Sequence, residues 1–435
     1  MSRPRSHIPL RVLLNDHLVG HLLKEPTGAI HFRYDESWLA RGNAIPVSLS
    51  LPLREDAYRG EQVAAVFENL LPDSQALRQR IAEKVGAKGT DAYSLLSRIG
   101  RDCVGALQFV PEGDDPVYDT SGIEGKVVSD DEIERLLNNL VREPLGLDQD
   151  PDFRISVAGA QEKTALLFHK KKWRKPRGTT PTTHILKTQI GSLQNGLDLS
   201  NSVENEYYCL KLLAAFGLAV NHAEIKIFGK TKALLLERFD RKWTDDKRLL
   251  RIPQEDLCQA LSCPPGQKYQ NQGGPGIVEI LKLLKGADTP AEDQKTFLKA
   301  QILFWLIGAT DGHAKNFSVF LGNGGSFRLT PIYDVLSAQP SMDARKIERK
   351  QMKLAMSVGN SRHYKIDDVE GRHFIQTAER AGLPASLASD ALQEVAKVAD
   401  KAMTTVEKKL PAGFPAEIHA SVTDGVVSRL QRIWN

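Results

Sequence analysis

Trp305-Leu306-Ile307-Gly308-Ala309-Thr310-Asp311-Gly312-His313-Ala314-Lys315-Asn316 is the stretch around which the rest of this chain is arranged. The apolar run 297–307 predicts a helix, and Gly308 is the residue type that ends one. Just beyond that end stand Asp311 and, five positions later, Asn316. Residues 317–321 then read as a strand, Gly322-Asn323-Gly324-Gly325-Ser326 as a turn, and 327–332 as a second strand that delivers Asp334. Such a hairpin returns Asp334 to the side of Asp311 and Asn316. Asp-Gly is also an ordinary turn dipeptide, so the motif gains chemical meaning only from what accompanies it. Two hard oxygen donors beside a further carboxylate suit Mg2+ with nucleotide phosphates rather than zinc or calcium.

Composition sets the bounds. The 435 residues carry 41% hydrophobic and 26% charged side chains, an ordinary globular balance with enough chain for two or three domains. A formal net charge of +4 permits contact with nucleic acid without requiring it. Cys103, Cys209, Cys258 and Cys263 form no CxxC pair, which speaks against a zinc site or a disulfide framework. There is no run of eighteen apolar residues and no apolar leader after Met1-Ser2-Arg3-Pro4-Arg5. A cytoplasmic protein with no membrane partner is therefore expected.

Along the chain, 10–14, 18–23 and 29–34 read as an antiparallel meander, with 47–53 as another strand and 103–110 as a closing one. A helical segment over 61–85 is broken at Leu70-Leu71-Pro72-Asp73, and 91–99 is a short helix. Residues 1–110 are thus expected to be a small α+β subdomain. A linker and helix follow over 111–152, with Ser129 and Glu132 as a capping box. A nucleotide-binding lobe is expected over 153–240. Over 241–435 a helical lobe carries the catalytic loop and the metal-binding hairpin.

Within 153–240 the parts come in a telling order. Residues 153–168 read as strand, small-residue loop (Ala158, Gly159, Ala160, Gln161, Glu162, Lys163) and strand, and small residues let backbone amides approach an anion. The strand 182–187 ends on Lys187, and the helix 203–216 offers Glu206 as its ion-pair partner. The strand 233–236 leads into Glu237-Arg238-Phe239-Asp240, a segment that would suit an adenine edge. Each feature has a plain alternative: a hairpin turn, a dipole-favoured acid, a salt-bridged strand end. Together with Asp-x-x-x-x-Asn and a later Asp they reproduce the order of parts in protein kinases, where the Asp orients the attacking hydroxyl and the Asn binds Mg2+. The basic turn 169–178, with Lys170, Lys171, Lys172, Arg174, Lys175 and Arg177 around Trp173, reads as a solvated hairpin tip or a phosphate-backbone contact.

The chain also resembles the HipA serine/threonine kinases of bacterial toxin–antitoxin modules over nearly its whole length. The resemblance rests on Ile155-Ser156-Val157-Ala158-Gly159-Ala160-Gln161-Glu162-Lys163-Thr164, Thr180-Pro181-Thr182-Thr183-His184, Asn205-Glu206-Tyr207-Tyr208-Cys209, Glu237-Arg238-Phe239-Asp240, Pro253-Gln254-Glu255-Asp256 and the 307–316 stretch. It implies a bilobal, protein-kinase-like α+β fold using ATP and Mg2+. Asp311 would be the catalytic base, and Asn316 and Asp334 the metal ligands. Residues 158–163, Lys187, 237–239, His313, Ala314, Lys315, Asn316, Tyr333 and Asp334 would form the nucleotide site, and Ser156 the autophosphorylated serine. It further implies glutamyl-tRNA synthetase as substrate, and a HipB-like helix-turn-helix antitoxin that carries the kinase to operator DNA as a co-repressor. The helix that would face DNA, around 372–381, keeps Arg372 and Arg380 but has Glu379 and Gly382 where basic residues are expected. Recruitment through the antitoxin is the expectation. A DNA-bound co-repressor with an incidental kinase fold, and an aminoglycoside-type small-molecule phosphotransferase, are the competing readings.

Overall fold

The computed structural model describes residues 7–114, 123–147, 153–159, 161–192 and 198–434. The N-terminal meander forms as expected from β1 (Leu10–Leu14), β2 (His17–Lys24) and β3 (Ile30–Tyr34). With β4 (Tyr58–Arg59) and β5 (Leu107–Pro111) it makes a sheet of order β4-β3-β2-β1-β5. Helices α1 (Glu36–Leu39), α2 (Glu61–Glu68), α3 (Gln75–Val85) and α4 (Ala92–Ile99) pack with this sheet around Phe32, Phe67 and Phe109. The break between α2 and α3 falls where Pro72 forbids helix, and the Ser74 side chain restarts it by accepting from Leu77 N–H.

Two expected strands are not strands. Over 47–53 there is one bridge, Ser48 to Leu51, because side chains replace a ladder: Val47 N–H donates to the Tyr34 hydroxyl at 2.9 Å and Leu49 N–H to Glu255 Oε1 at 2.7 Å. Over 153–157 there is one parallel bridge, Ile155 to Asp102, while Phe153, Ile155 and Val157 are buried in the core of the N-terminal subdomain. The segment expected to open the nucleotide lobe is an arm laid onto the preceding subdomain.

The second sheet is antiparallel. It joins β6 (Gly125–Val127), β7 (Lys163–His169), β8 (Lys172–Pro176) and β9 (His184–Lys187) to β12 (Ala223–Phe228) and β13 (Thr231–Glu237) in the order β12-β13-β9-β7-β8-β6. The short pair β10 (Gly191–Ser192) and β11 (Asp198–Leu199) lies outside it. Helix α5 (Asp130–Asn138) begins at the reciprocal Ser129–Glu132 capping box and covers one face. Helix α6 (Ser202–Ala215) closes the lobe toward the C-terminal core. A hairpin of β14 (Arg241–Trp243) and β15 (Leu249–Arg251) leads out of it.

The lobe expected to be helical over 241–435 does not open with helices, since β16 (Gln254–Asp256) first pairs with a later strand. Then come α7 (Leu257–Ala260), α8 (Ile277–Leu283) and α9 (Pro290–Ile307). Every residue of α9 from Ala300 to Ile307 is buried, the mark of a helix enclosed on all sides. Strands β17 (Ser318–Leu321) and β18 (Phe327–Leu329) complete a sheet of order β16-β17-β18. Helix α10 (Gln339–Asp343), the pair β19 (Lys353–Val358) and β20 (His363–Lys365), and helices α11 (Gly371–Arg380), α12 (Ala385–Glu407) and α13 (Ala416–Leu430) build the rest of the helical lobe. The architecture is a bilobal α+β fold with its cleft between the second sheet and the end of α9.

Candidate active site

Helix α9 stops because Gly308 turns left-handed (φ 71°), a conformation glycine adopts without strain. The chain then passes so close to the helix that a Cβ on Gly312 would lie 2.4 Å from the Phe304 ring. The loop beyond is stapled by its own polar groups. The Asp311 carbonyl accepts from His313 N–H (2.9 Å) and from Asn316 Nδ2 (2.8 Å), and Asn316 Nδ2 also reaches the Asp334 carbonyl at 3.4 Å. With its nitrogen so committed, the Asn316 carboxamide turns its oxygen the other way.

Asp334 follows β18 in a left-handed backbone conformation (φ 57°), unusual for a residue with a side chain and held here by its surroundings. Three residues on, Ser337 exchanges two 2.8 Å hydrogen bonds with the Asn205 side chain of α6 and donates its hydroxyl to the Ile307 carbonyl. The end of α9, the start of α6 and the Asp334 segment are thereby locked together.

Lys187 completes the arrangement. Its buried ammonium donates to both Glu206 oxygens at 2.8 and 3.0 Å and to Asp334 Oδ1 at 2.7 Å. Burial alone would depress its pKa, but Asp334 and Glu206 outweigh it and raise the pKa. Burial raises Asp334 in turn, and Lys187 and Lys163 overcome that and hold it well below the usual carboxylate range. Glu206, more deeply enclosed, stays raised by burial despite Lys187. Lys163, also buried, donates to the Ala158 carbonyl at 2.8 Å. Burial, reinforced by the charge of Lys187, lowers its pKa to about 8.

The loop before Lys163 is held down by the N-terminal subdomain. Ser156 is fully buried and donates its hydroxyl to the Leu70 carbonyl at 2.7 Å, while its N–H donates to the Asp102 carbonyl. Asp73 N–H reaches the Gly159 carbonyl at 3.3 Å. Asp73 also receives Lys268 (2.7 Å) and Lys315 (3.0 Å), and against burial these two ammoniums bring its pKa down to about 2.

These groups line one cleft of about 630 Å³. Ala158, Gly159, Gln161, Lys163 and Lys187 line it together with Asp311, His313, Asn316 and Asp334, and so do Phe239 and Tyr333. The Tyr333 hydroxyl bonds Ser318 Oγ (2.6 Å) and the Lys315 carbonyl (3.0 Å), and its ring lies 5.8 Å from that of Phe239. An anionic ligand with a flat apolar end suits a cleft lined by two buried lysines and an aromatic pair. The carboxylate of Asp334 and the oxygen of Asn316 make a hard-donor set compatible with Mg2+.

Other expected contacts are placed differently. Glu237 is exposed and near His222 (3.7 Å), Glu162 pairs with Arg80 (2.8 Å), and Ala314 is buried off the cleft. Lys315 and Arg238 are among the lining residues, but their charged groups are committed elsewhere. Lys315 Nζ bonds Asn69, and Arg238 bonds Asp240, Thr182 and the Cys103 carbonyl. Ala160 lies outside the described residues.

Sequence reading missed two groups. One is the buried cluster in which Asp102 meets Arg238 (3.3 Å), Arg241 (2.8 Å) and Arg251 (3.0 Å), pinning the N-terminal subdomain behind the cleft. The other is Asp73 with Lys268 and Tyr269, at the cleft mouth. Neither has a local sequence signal, because the partners are distant in the chain. The two arginines of α11 are engaged: Arg372 pairs with Glu370 at 2.5 Å and Arg380 donates to the Gly359 carbonyl at 2.7 Å. Among the described residues no helix is long and apolar enough to cross a membrane.

Residues 155–403 match the HipA-like C-terminal domain and residues 10–110 the HipA N-terminal domain. The Sinorhizobium fredii protein Y4mE, whose name places it among kinases, is 33% identical over 378 residues, 86% of either chain. The serine/threonine-protein kinase toxin HipA of Shewanella oneidensis is 27% identical over 420 residues, 93% of this chain and 90% of its own. A solved complex of Shewanella oneidensis MR-1 HipA with HipB and its operator DNA contains a chain that superposes with a TM-score of 0.79 at 25% identity. The match covers 98% of this chain and 97% of that one.

Proposed function

The chain belongs to the HipA family of serine/threonine kinase toxins, and on that premise we propose how it works: it transfers the γ-phosphoryl group of ATP to a protein serine or threonine in a Mg2+-dependent reaction. Asp311 accepts the proton of the attacking hydroxyl. Lys187, with Lys163 and the 158–163 loop, holds the phosphates, and Phe239 and Tyr333 flank the base. Asn316 and Asp334 would hold Mg2+, which neutralises the phosphate oxygens and the charge developing on them. The observation that carries this reading is the convergence of Asp311, Asn316 and Asp334, tied to Lys187 and thence to Glu206.

We further propose that Ser156 is autophosphorylated and that this switches the enzyme off. Its hydroxyl is buried on the Leu70 carbonyl, so modification requires the loop to leave. A phosphoserine carries about −1.5 to −2 charges at neutral pH, which would oppose return of the loop beside the phosphates of ATP. The proposed protein substrate is glutamyl-tRNA synthetase, whose phosphorylation would stall translation and growth. The proposed partner is a HipB-like antitoxin that carries the kinase to operator DNA as a co-repressor; the protein acts in the cytoplasm and joins the nucleoid with its antitoxin. Engagement of Arg372 and Arg380 within the chain supports recruitment through the antitoxin.

The co-repressor reading without catalysis draws on the exposed Lys170, Lys171 and Lys172 at the β7–β8 turn. It predicts salt-dependent operator binding by the chain alone. The deciding experiment is incubation with labelled ATP of wild type, Asp311→Asn and Ser156→Ala, with phosphosite mapping. Label on wild type, none on Asp311→Asn, and loss of the mapped site in Ser156→Ala are expected. Equal labelling of wild type and Asp311→Asn refutes the assignment of the base.

A further inference from the structure

The Asp311 carboxylate accepts one hydrogen bond among the described residues, and its donor is a hydroxyl, that of Tyr269. Tyr269 sits in the turn between α7 and α8, and both it and Asp311 line the cleft. Its ring stands edge-on to His313, with centroids 4.9 Å apart. Its neighbour Lys268 is tied to Asp73 at 2.7 Å, so the segment is tethered from the N-terminal subdomain. The backbone of Asp311 is fixed without the phenol, because the Asp311 carbonyl already accepts from His313 N–H and Asn316 Nδ2. What the phenol does present is an O–H aimed at the carboxylate, the same donor an acceptor alcohol presents. Burial, and then the charge of Asp311, raise its pKa, so it stays a protonated donor through neutral pH.

We propose that Tyr269 fills the subsite for the acceptor hydroxyl in the closed enzyme and that an incoming serine or threonine displaces it. The 268–269 segment is then a built-in competitor of the acceptor, released when the Lys268–Asp73 pair gives way. This rests on the reading of Asp311 as the base.

The test is steady-state ATP turnover with water as acceptor, on the full chain with Mg2+. Wild type, Tyr269→Phe, Lys268→Met and Asp311→Asn are compared. Tyr269→Phe is expected to turn ATP over on the order of 10-fold faster, since a hydrogen bond to a charged oxygen no longer competes, with KM for ATP unchanged. Lys268→Met, which cuts the tether and also removes a cation from the cleft lining, gives a smaller gain in the same direction. Turnover by Tyr269→Phe equal to or below wild type, or a raised KM for ATP, overturns the proposal, because the phenol would then support the base or the nucleotide site. Should Asp311→Asn match wild type, the base assignment itself falls, and this inference with it. An inactive Asp311→Asn beside a slowed Tyr269→Phe removes this inference alone.

Discussion

Replacing Lys187 by methionine keeps most of the side chain's length while deleting the charge that three carboxylate oxygens share. Its ammonium lies 2.8 and 3.0 Å from Glu206 and 2.7 Å from Asp334. The Glu206 side chain is 2% exposed, so water cannot replace the lost cation there, whereas Asp334, at 34%, is partly rehydrated. Removing one partner of a buried ion pair costs about 3–5 kcal/mol, and the partial hydration of Asp334 sets the expectation near the lower end, about 3 kcal/mol. Against a total of about 5–15 kcal/mol that is a large shift in urea midpoint. The loss also has a signature in pH. Without Lys187 the raised folded-state pKa of Glu206 climbs further, and a carboxyl raised in the fold favours the fold only while protonated. The deficit of Lys187→Met is therefore small below about pH 4, and grows as pH rises through the folded-state value. Adding Glu206→Gln removes the stranded charge and is expected to recover most of the stability, but no kinase activity, since nothing restores a cation for phosphate. Urea denaturation at several pH values, beside labelled-ATP assays, reads both effects. A Lys187→Met chain as stable as wild type at pH 7, or a double variant no more stable than the single one, would refute the reasoning.

Lys163, lowered to about 8 by burial and by Lys187, predicts that ATP binding weakens above pH 8. ATP phosphates favour the charged ammonium, so binding takes up a proton there, and KM for ATP should rise by up to about tenfold per pH unit, a slope that Lys163→Met abolishes. Asp102→Asn leaves Arg238, Arg241 and Arg251 buried with less counter-charge, and about 3–5 kcal/mol should be lost in chemical denaturation. Chelation of Mg2+ should abolish ATP turnover yet leave Tm nearly unchanged, because the Lys187 ammonium holds Asp334 in place without a metal ion.

Local chemistry is what the sequence shows well. The Ser129 capping box, the Pro72 break and the Gly308 stop each act within a few residues, and all three stand where their residue types predict. Lys187 with Glu206 was legible because strand and helix ends are short and ordered. The segments 47–53 and 153–157 have strand-like composition, but backbone N–H groups of the first are taken up by Tyr34 and Glu255 and that of Ser156 in the second by the Asp102 carbonyl. Arg238 is among the residues that line the cleft, and its guanidinium serves Asp240 and Thr182, the latter a contact that only folding brings about. Asp73, Lys268 and Tyr269 carry no mark in the sequence, because their meaning arises when residues some two hundred positions apart are folded onto the Asp311 loop.

The convergence of residues 311, 316 and 334 is tested most directly by crystallising the chain with a non-hydrolysable ATP analogue and Mn2+ in place of Mg2+, and locating the metal by its anomalous signal. The expected peak lies between the Asn316 carboxamide oxygen and the Asp334 carboxylate, with the terminal phosphate on the Asp311 side of the cleft. A nucleotide bound elsewhere, or a metal touching neither Asn316 nor Asp334, contradicts the assignment.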